Sequence, residues 1–571
     1  MATSFDFNGT DNYVNIIDDQ VYDVATWTVS YNDGTDKTWD TGDAAVTGLL
    51  QLINETRMKL AYDGTDYFGD KIRSLTGKNS DESTVVYIPF DKSSGSVADS
   101  TFTQTDMVIN WTTPTISFTG TNYNANSEAT LNTALGNVTS GNYDKITLTG
   151  SFSITGSKDI SGINGLTIDF NGYTITYNSG ASGDYFFTIE NSNTTNLKVI
   201  SPKLVSQNDQ TRSNGRGGSD GSNRHGFYIG GSVVSNLVFT NPHFTNLEFG
   251  FMIAGKSNDP ANSSNIFIDG TFTTIDTFQS IYVQYCRNLY VDTLTNDNSM
   301  VVNGLDHQFY GAAKSRTYIK SITADNVDAT SNCMYALQLE VSPDESSAEA
   351  YINYANILGS LKPAWLHGGK MVINTLDFDT TLTGTNPYIR IARYGQLIVN
   401  GGTWTGSGGY YLFDRYNETG DGNECIIIRN VTMDITIDYY MINYTDLDYP
   451  MFVHFENCDI TFDSNNDKPF KFSPSANVFK DCDFTLGFEN SIFWDFYNGA
   501  TMTSINCTYT DTGGLFTPTD ADATFVTDAN YNTQKTIEGT VLDSQWEVDD
   551  LQGSLVLSIN RVVKIFKIID I

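Results

Sequence analysis

The sequence predicts an all-β chain built around a parallel β-helix, with a small β-sandwich-like domain in front and a β segment behind. Three observations carry this. A short motif recurs along the back two thirds, at spacings of 21 to 39 residues. Each unit is made of β-branched and aromatic runs without helical period. The last four units align their apolar residues in parallel columns.

The anchors of the repeat are Asp169, Ser201, Thr240, Asp269, Asp292, Lys320, Asn353, Asn374, Asn400, Asn430, Asn457, Asp481 and Asn506. Before them stand runs such as Leu166-Thr167-Ile168, Ile266-Phe267-Ile268 and Met371-Val372-Ile373. Second strands follow, among them Phe227-Tyr228-Ile229, Tyr335-Ala336-Leu337 and Ala364-Trp365-Leu366. Units this short leave no room for a crossover helix, and no single coil hides its apolar face alone, so the coils must stack.

In the final units Val431, Cys458, Cys482 and Cys507 each follow the anchor, and Met433, Ile460, Phe484 and Tyr509 lie two further on. In-register stacking makes these two inward columns, repeating every ~4.8 Å. The six cysteines, at 286, 333, 425, 458, 482 and 507, show no CxxC pair and no histidine-rich spacing. They are expected as buried free thiols, which favours synthesis in a reducing compartment. No metal or cofactor is expected.

The 571-residue chain carries 67 acidic against 32 basic side chains, a net charge of −35, which argues against nucleic acid as a partner. No stretch is apolar enough for a membrane span, and Met1 to Asp6 lacks the basic-then-apolar plan of a signal peptide. No membrane insertion is expected.

Residues 1–115 read as the β-sandwich-like domain. Ser4 to Ile16 alternates around Asn8-Gly9, a hairpin signal, and Trp27 to Ser30, Leu49 to Leu52, Met58 to Tyr62 and Val85 to Ile88 read as strands. The opening also resembles the entry strands of laminin-G-like, concanavalin-type jelly rolls. Residues 116–144 read as linker and capping helix. Asn126-Ser127-Glu128 supplies the N-cap, Leu131, Ala134, Leu135 and Val138 the apolar face, and Gly136 and Gly141 the end. Such a helix would cover the open slice of the first coil. The β-helix is expected over 145–515, and 516–571 as a β or oligomerisation segment, whose apolar end at 555–571 must be covered by coils or partner chains.

The helix, then Lys145 to Ile154, then Leu166 to Ile175, resembles the entry to pectin-lyase-like right-handed parallel β-helices. That resemblance spans about 125 to 515 and implies a right-handed helix. Polysaccharide lyases, glycosidases, autotransporter stalks and bacteriophage tailspikes and fibres share this fold, so it does not fix an activity. The acidic, Gly/Asn/Thr/Asp-rich composition and the domain order resemble a phage tailspike or fibre. The resemblance implies a homotrimer in the virion, attached to other virion proteins and binding host surface glycan, with residues 1–115 serving for virion attachment or carbohydrate binding.

Two places are candidates for a site. The interval from Ser201 to Thr240 is the longest, and its excess carries Arg212, Arg216, Arg224 and His225. This basic island is either a solvated Gly-rich loop or a clamp for an anionic sugar, since guanidinium groups match carboxylates. The second candidate is an outward stripe beside the second strands: Gln284, Asn303, Gln338, His367, Arg390, Asp414, Asn443, Lys471 and Asp495, with Tyr282, Trp365 and Tyr388 nearby. Such a mixture suits sugar recognition, although any long β-helix presents an outer surface.

For cleavage, Glu340 with Asp306 is the nearest carboxylate pairing in the stripe, while Asp414 lies about three coils from Glu340. His307 and His367 are candidate bases, although each of these residues also fits an ordinary surface role. Two functions stay open: a virion spike or fibre that binds glycan or decorates the particle, and a polysaccharide depolymerase, lyase or glycoside hydrolase, on the same scaffold.

Overall fold

The computed structural model describes residue 109 and residues 111–511, apart from 179–183, 191, 208–223, 231–233, 256–263, 298–306, 327–334, 342–347, 383–385, 393–394, 416–424, 445–450, 465–469, 473–474, 487–493, 497–500 and 506. It also describes strand segments at 5–6, 14–16, 26–31, 36–40, 58–60, 71–78, 84–89, 524–526 and 535–537. One sheet of 35 strands runs through the body of the chain, each strand pairing with its counterpart one coil on. The pairing is parallel until Lys535–Ile537 closes antiparallel on Cys507–Asp511. The architecture is a right-handed parallel β-helix.

Each coil contributes to three faces, here sheets A, B and C. Sheet A carries an inward column that includes Ile146, Ile168, Val199, Phe239 and Ile268 in register. Sheet B carries Ile357, Phe378, Trp404, Met433, Ile460 and Phe484. Sheet C carries Phe187, Phe227, Phe251, Ile281, Phe309 and Leu337. These three columns form one continuous apolar core. Like residues meet at each step, and the Phe187, Phe227 and Phe251 rings stack at 5.0 and 5.5 Å between centroids.

The repeat anchors lie at the corner between sheets A and B. Asn374 Nδ2 donates to Asn353 Oδ1 at 3.0 Å, and Asn400 to Asn374 at 3.4 Å, an amide ladder along the helix axis. At the next step Arg429 takes the ladder position and donates to Asn400 Oδ1 at 3.3 Å, while Asn430 donates to the Asn400 carbonyl oxygen at 3.0 Å. Asn430, Asn457 and Asp481 turn the corner with φ of 52°, 54° and 53°. Asn and Asp tolerate this left-handed region better than other residues with a β-carbon.

The cysteine columns fall as the spacing predicts. Val431, Cys458 and Cys482 are buried one above another, beside Met433, Ile460 and Phe484. Cys286, Cys458 and Cys482 are buried thiols outside any disulfide. The Cys507 backbone pairs in the same series, and its side chain lies outside the described residues.

Helix α1, Glu128–Asn137, covers the first coil. Ser127 and Thr130 cap it reciprocally, and Leu131 and Ala134 are buried against the core. Gly136 stays inside the last turn rather than ending it, because Val138 forms the cap by donating to the Leu135 carbonyl oxygen. Glu128 Oε1 accepts from Lys158 Nζ at 2.6 Å and from the Thr155 amide at 3.1 Å, tying the helix to the coil beneath.

The outer face of sheet A is apolar, with Val238, Phe267, Tyr290, Tyr318, Tyr351 and Val372 in one column. The chain preceding the helix lies across it as a strap. Ile109 packs on the Tyr351 and Val372 cluster, and Trp111 meets Tyr290 at 5.3 Å with Lys320 Nζ 4.1 Å above its ring. Thr113 Oγ1 donates to Asp269 Oδ1 at 2.7 Å, Ile116 packs on Val238 and Phe267, and Thr119 bonds the Tyr143 carbonyl oxygen. The ten residue steps from 109 to 119 cover ~33 Å when extended, matching the seven rungs from Tyr351 to Lys145 at ~4.8 Å each.

At the front, the turn of the expected hairpin lies outside the described residues, and its two described arms pair with other strands. Phe5–Asp6 pairs with Lys71 and Ile72, whereas Val14–Ile16 pairs with Met58–Leu60, each antiparallel. Two- and three-residue strands take their pairing from long-range partners rather than from the intervening turn. Strands Asp36–Asp40 and Lys71–Lys78 join Thr26–Tyr31 in an antiparallel sheet. Leu49 to Leu52 and residues 555–571 lie outside the described residues. Among the described residues no helix is long and apolar enough to cross a membrane.

Candidate functional site: the outer face of sheet C

Sheet C strands carry a regular irregularity that shapes their outer face. The register skips residues 226, 250 and 363, and the residue at this point in the other coils, such as Ser280, Gln308, Ala336 and Tyr388, is fully buried. The preceding residue is thereby turned onto the outer face, joining two further columns of normal alternation. Ser280 Oγ donates to Gln308 Oε1 at 2.8 Å and bonds Thr274 Oγ1 at 2.7 Å, and Asn296 Nδ2 donates to Thr274 Oγ1 at 2.8 Å. This buried network fixes the inner side of the strands that carry the site.

The first outer column holds His307, Tyr335 and Lys362, with His307 Nδ1 3.0 Å from the Tyr335 carbonyl oxygen. The second runs Tyr282, Tyr310, Gln338, Trp365, Arg390 and Asp414 in register. The third holds Ala312, Glu340, His367 and Ala392. The single stripe expected from alternation is therefore two adjacent columns, with Glu340 and His367 beside Gln338 and Trp365.

Glu340 is the centre of the polar contacts. Its Oε2 accepts from the Tyr310 hydroxyl and from Gln338 Nε2 at 3.1 Å, and its Oε1 stands 3.8 Å from His367 Nδ1. The Glu340 side chain is 40% exposed, against 10% for His367. Trp365 stands between the columns: its ring lies 5.4 Å from Tyr335, 5.8 Å from His367 and 6.3 Å from His307. Tyr282 and Tyr310 stack at 5.0 Å on the coils below.

Above Trp365, Arg390 Nε and Nη2 both reach Asp414 Oδ2 at 3.0 Å. Lys362 Nζ lies 4.8 Å from the Tyr335 ring centre. Burial pushes the Tyr335 phenol far above its ordinary range; Arg390 opposes this and Asp414 adds to it. Tyr335 is thus a protonated phenol at neutral pH.

The structure brings Glu340, His367, Gln338, Trp365, Arg390 and Asp414 onto one face. Glu340 and Asp414 are three rungs apart, ~14 Å at the parallel spacing, beyond the ~5–9.5 Å that glycosidase carboxylates need. Asp306, Asn303, Arg212 and Arg216 lie outside the described residues. The backbone of Arg224 opens the strand Arg224–Gly230. His225 is buried, with Nε2 3.7 Å from Glu248 Oε2 and its ring stacked 4.8 Å from Tyr185. Lys471 and Asp495 pair in a separate two-stranded sheet. Tyr388 belongs to the core, 5.7 Å from Phe378.

Sequence reasoning missed the roles of Tyr310, Tyr335 and Lys362. Alternation places Tyr335 on the same side as Leu337, and only the irregularity at Ala336 separates them. Among the described residues no cluster of three His, Cys, Asp or Glu is arranged for a metal ion. No protein-family model, curated protein or solved structure matches the chain.

Proposed function

We propose that the chain is a virion spike or fibre protein, of the kind that pectin-lyase-like β-helices form in bacteriophages, and that it binds host surface polysaccharide on the outer face of sheet C. The observation that carries the binding surface is Trp365, an indole set among Gln338, Glu340, His367 and Arg390 by strand register. Aromatic rings cover the apolar faces of sugars, while amides and carboxylates pair with the hydroxyls. The rigid backbone beneath limits the ordering cost of binding. The acidic composition and β-helical body support the virion reading, as does the resemblance of the helix entry. In this reading the chain is a homotrimer joined to other virion proteins.

The test is binding of the full chain to polysaccharide purified from candidate host surfaces, with sedimentation to measure the oligomer. Binding by a trimer is expected. A monomer that binds no surface polysaccharide contradicts the proposal.

A depolymerase is the second reading, favoured by the 3.8 Å approach of His367 to Glu340, which places an acid and a base together beside an aromatic platform. Shortening of a bound polysaccharide by the wild type, abolished in Glu340→Gln, supports cleavage. An unchanged chain length after prolonged incubation excludes it.

A further inference from the structure

We infer that the glycan taken by the outer face of sheet C is uncharged, a hydroxyl-rich sugar without carboxylate or sulfate groups, and that Glu340 is the acceptor that reads its hydroxyls. The inference rests on the glycan-binding reading above and names the ligand class of that site.

Among the described residues, the basic side chains on this face are already engaged. Arg390 directs two of its nitrogens at one oxygen of Asp414, both at 3.0 Å. Lys362 is 8% exposed and lies over the Tyr335 ring. His367 is equally buried, with its Nδ1 toward Glu340. An anionic ligand needs a guanidinium or ammonium group that it can reach, and here the Arg390 charge is already offset by a carboxylate while Lys362 is held against a ring.

Of these described side chains, the carboxylate of Glu340 is the most exposed. Tyr310 and Gln338 hold its Oε2 by donation, which fixes the orientation of the group, and the side chain remains 40% exposed. A carboxylate accepts from sugar hydroxyls in charge-assisted bonds, roughly twice as strong as neutral ones. The same group repels a uronate or sulfate. The net charge of −35 disfavours the approach of polyanions in the same direction. The half-buried rings of Trp365 and Tyr282 supply apolar contact that needs no ligand charge.

The experiment is calorimetric titration of the full chain, at low and high salt, with two sets of probes: malto-, manno-, galacto- and N-acetylglucosamine oligosaccharides, and oligogalacturonate and hyaluronan fragments. The inference expects binding from the uncharged set, with affinity nearly independent of salt. Glu340→Gln should weaken it by about tenfold with an unchanged unfolding midpoint. Preferential binding of the acidic set, lost at high salt or tightened by Glu340→Gln, overturns the inference and leaves the glycan reading standing. Binding of neither set overturns both.

Discussion

Arg390 holds Asp414 on the next rung of sheet C through two nitrogens, each 3.0 Å from the same carboxylate oxygen. The Asp414 side chain is only 9% exposed, so the pair joins two coils while removing a carboxylate from water. Arg390→Ala would leave that carboxylate nearly buried without its guanidinium, at a cost of about 3 kcal/mol. Arg390→Ala with Asp414→Ala should cost less than the two single changes together. Denaturant unfolding of the four proteins measures this, and strict additivity would show that the pair does not couple the rungs.

The helix lid should loosen in acid. Burial opposes ionisation of Glu128, but donation from Lys158 and from Thr155 outweighs it and holds the carboxyl below its ordinary value of 4.5. A carboxyl with a depressed folded value adds stability above its unfolded value and loses it as pH falls through the folded one. Glu128→Gln should therefore destabilise the protein at pH 7 by about 1 kcal/mol. The difference from wild type should vanish in strong acid. A gap that persists in acid would place the effect in packing rather than charge.

The strap is held by apolar contact with sheet A. Ile116, 7% exposed, rests on Val238 and Phe267, and Ile116→Asp would bury a carboxylate there at a cost of about 3 kcal/mol. Trp111→Ala, at a half-buried site, should cost about 1–2 kcal/mol. Limited proteolysis should then cut within 111–119 in both variants and spare the wild type. Equal resistance in all three would mean that the strap is not secured by this column.

Cys286 should be silent in the native protein. Burial pushes its thiol up to about 12, so at pH 8 only about one molecule in ten thousand carries the thiolate. Alkylation followed by peptide mapping should label Cys286 only after unfolding. Rapid native labelling would show that the corner between Gln284 and Arg287 opens locally.

Much of the fold was legible because stacking repeats one local solution many times. Anchor spacing, β-branched runs and the Cys458 and Cys482 column all report the same register. The shift from Asn400 to Arg429 on the ladder was not legible, since Asn430 completes the anchor series while standing one residue later. The candidate face was legible in part of its layout. Gln338, Trp365, Arg390 and Asp414 follow simple alternation, and they fall in one column. Tyr335 and Tyr388 do not, because a single inward residue in each sheet C strand reverses the parity before it. That irregularity depends on the packing of neighbouring coils, which no short window of sequence contains.

In the proposed function, the outer face of sheet C binds glycan through Trp365. The most direct measurement is the affinity of wild type and Trp365→Ala for a surface polysaccharide that the wild type binds. At least a tenfold loss in the variant, about 1.4 kcal/mol, is expected at a temperature where its own unfolding transition shows it to be fully folded. Equal affinity in the two proteins would place binding elsewhere and contradict the account.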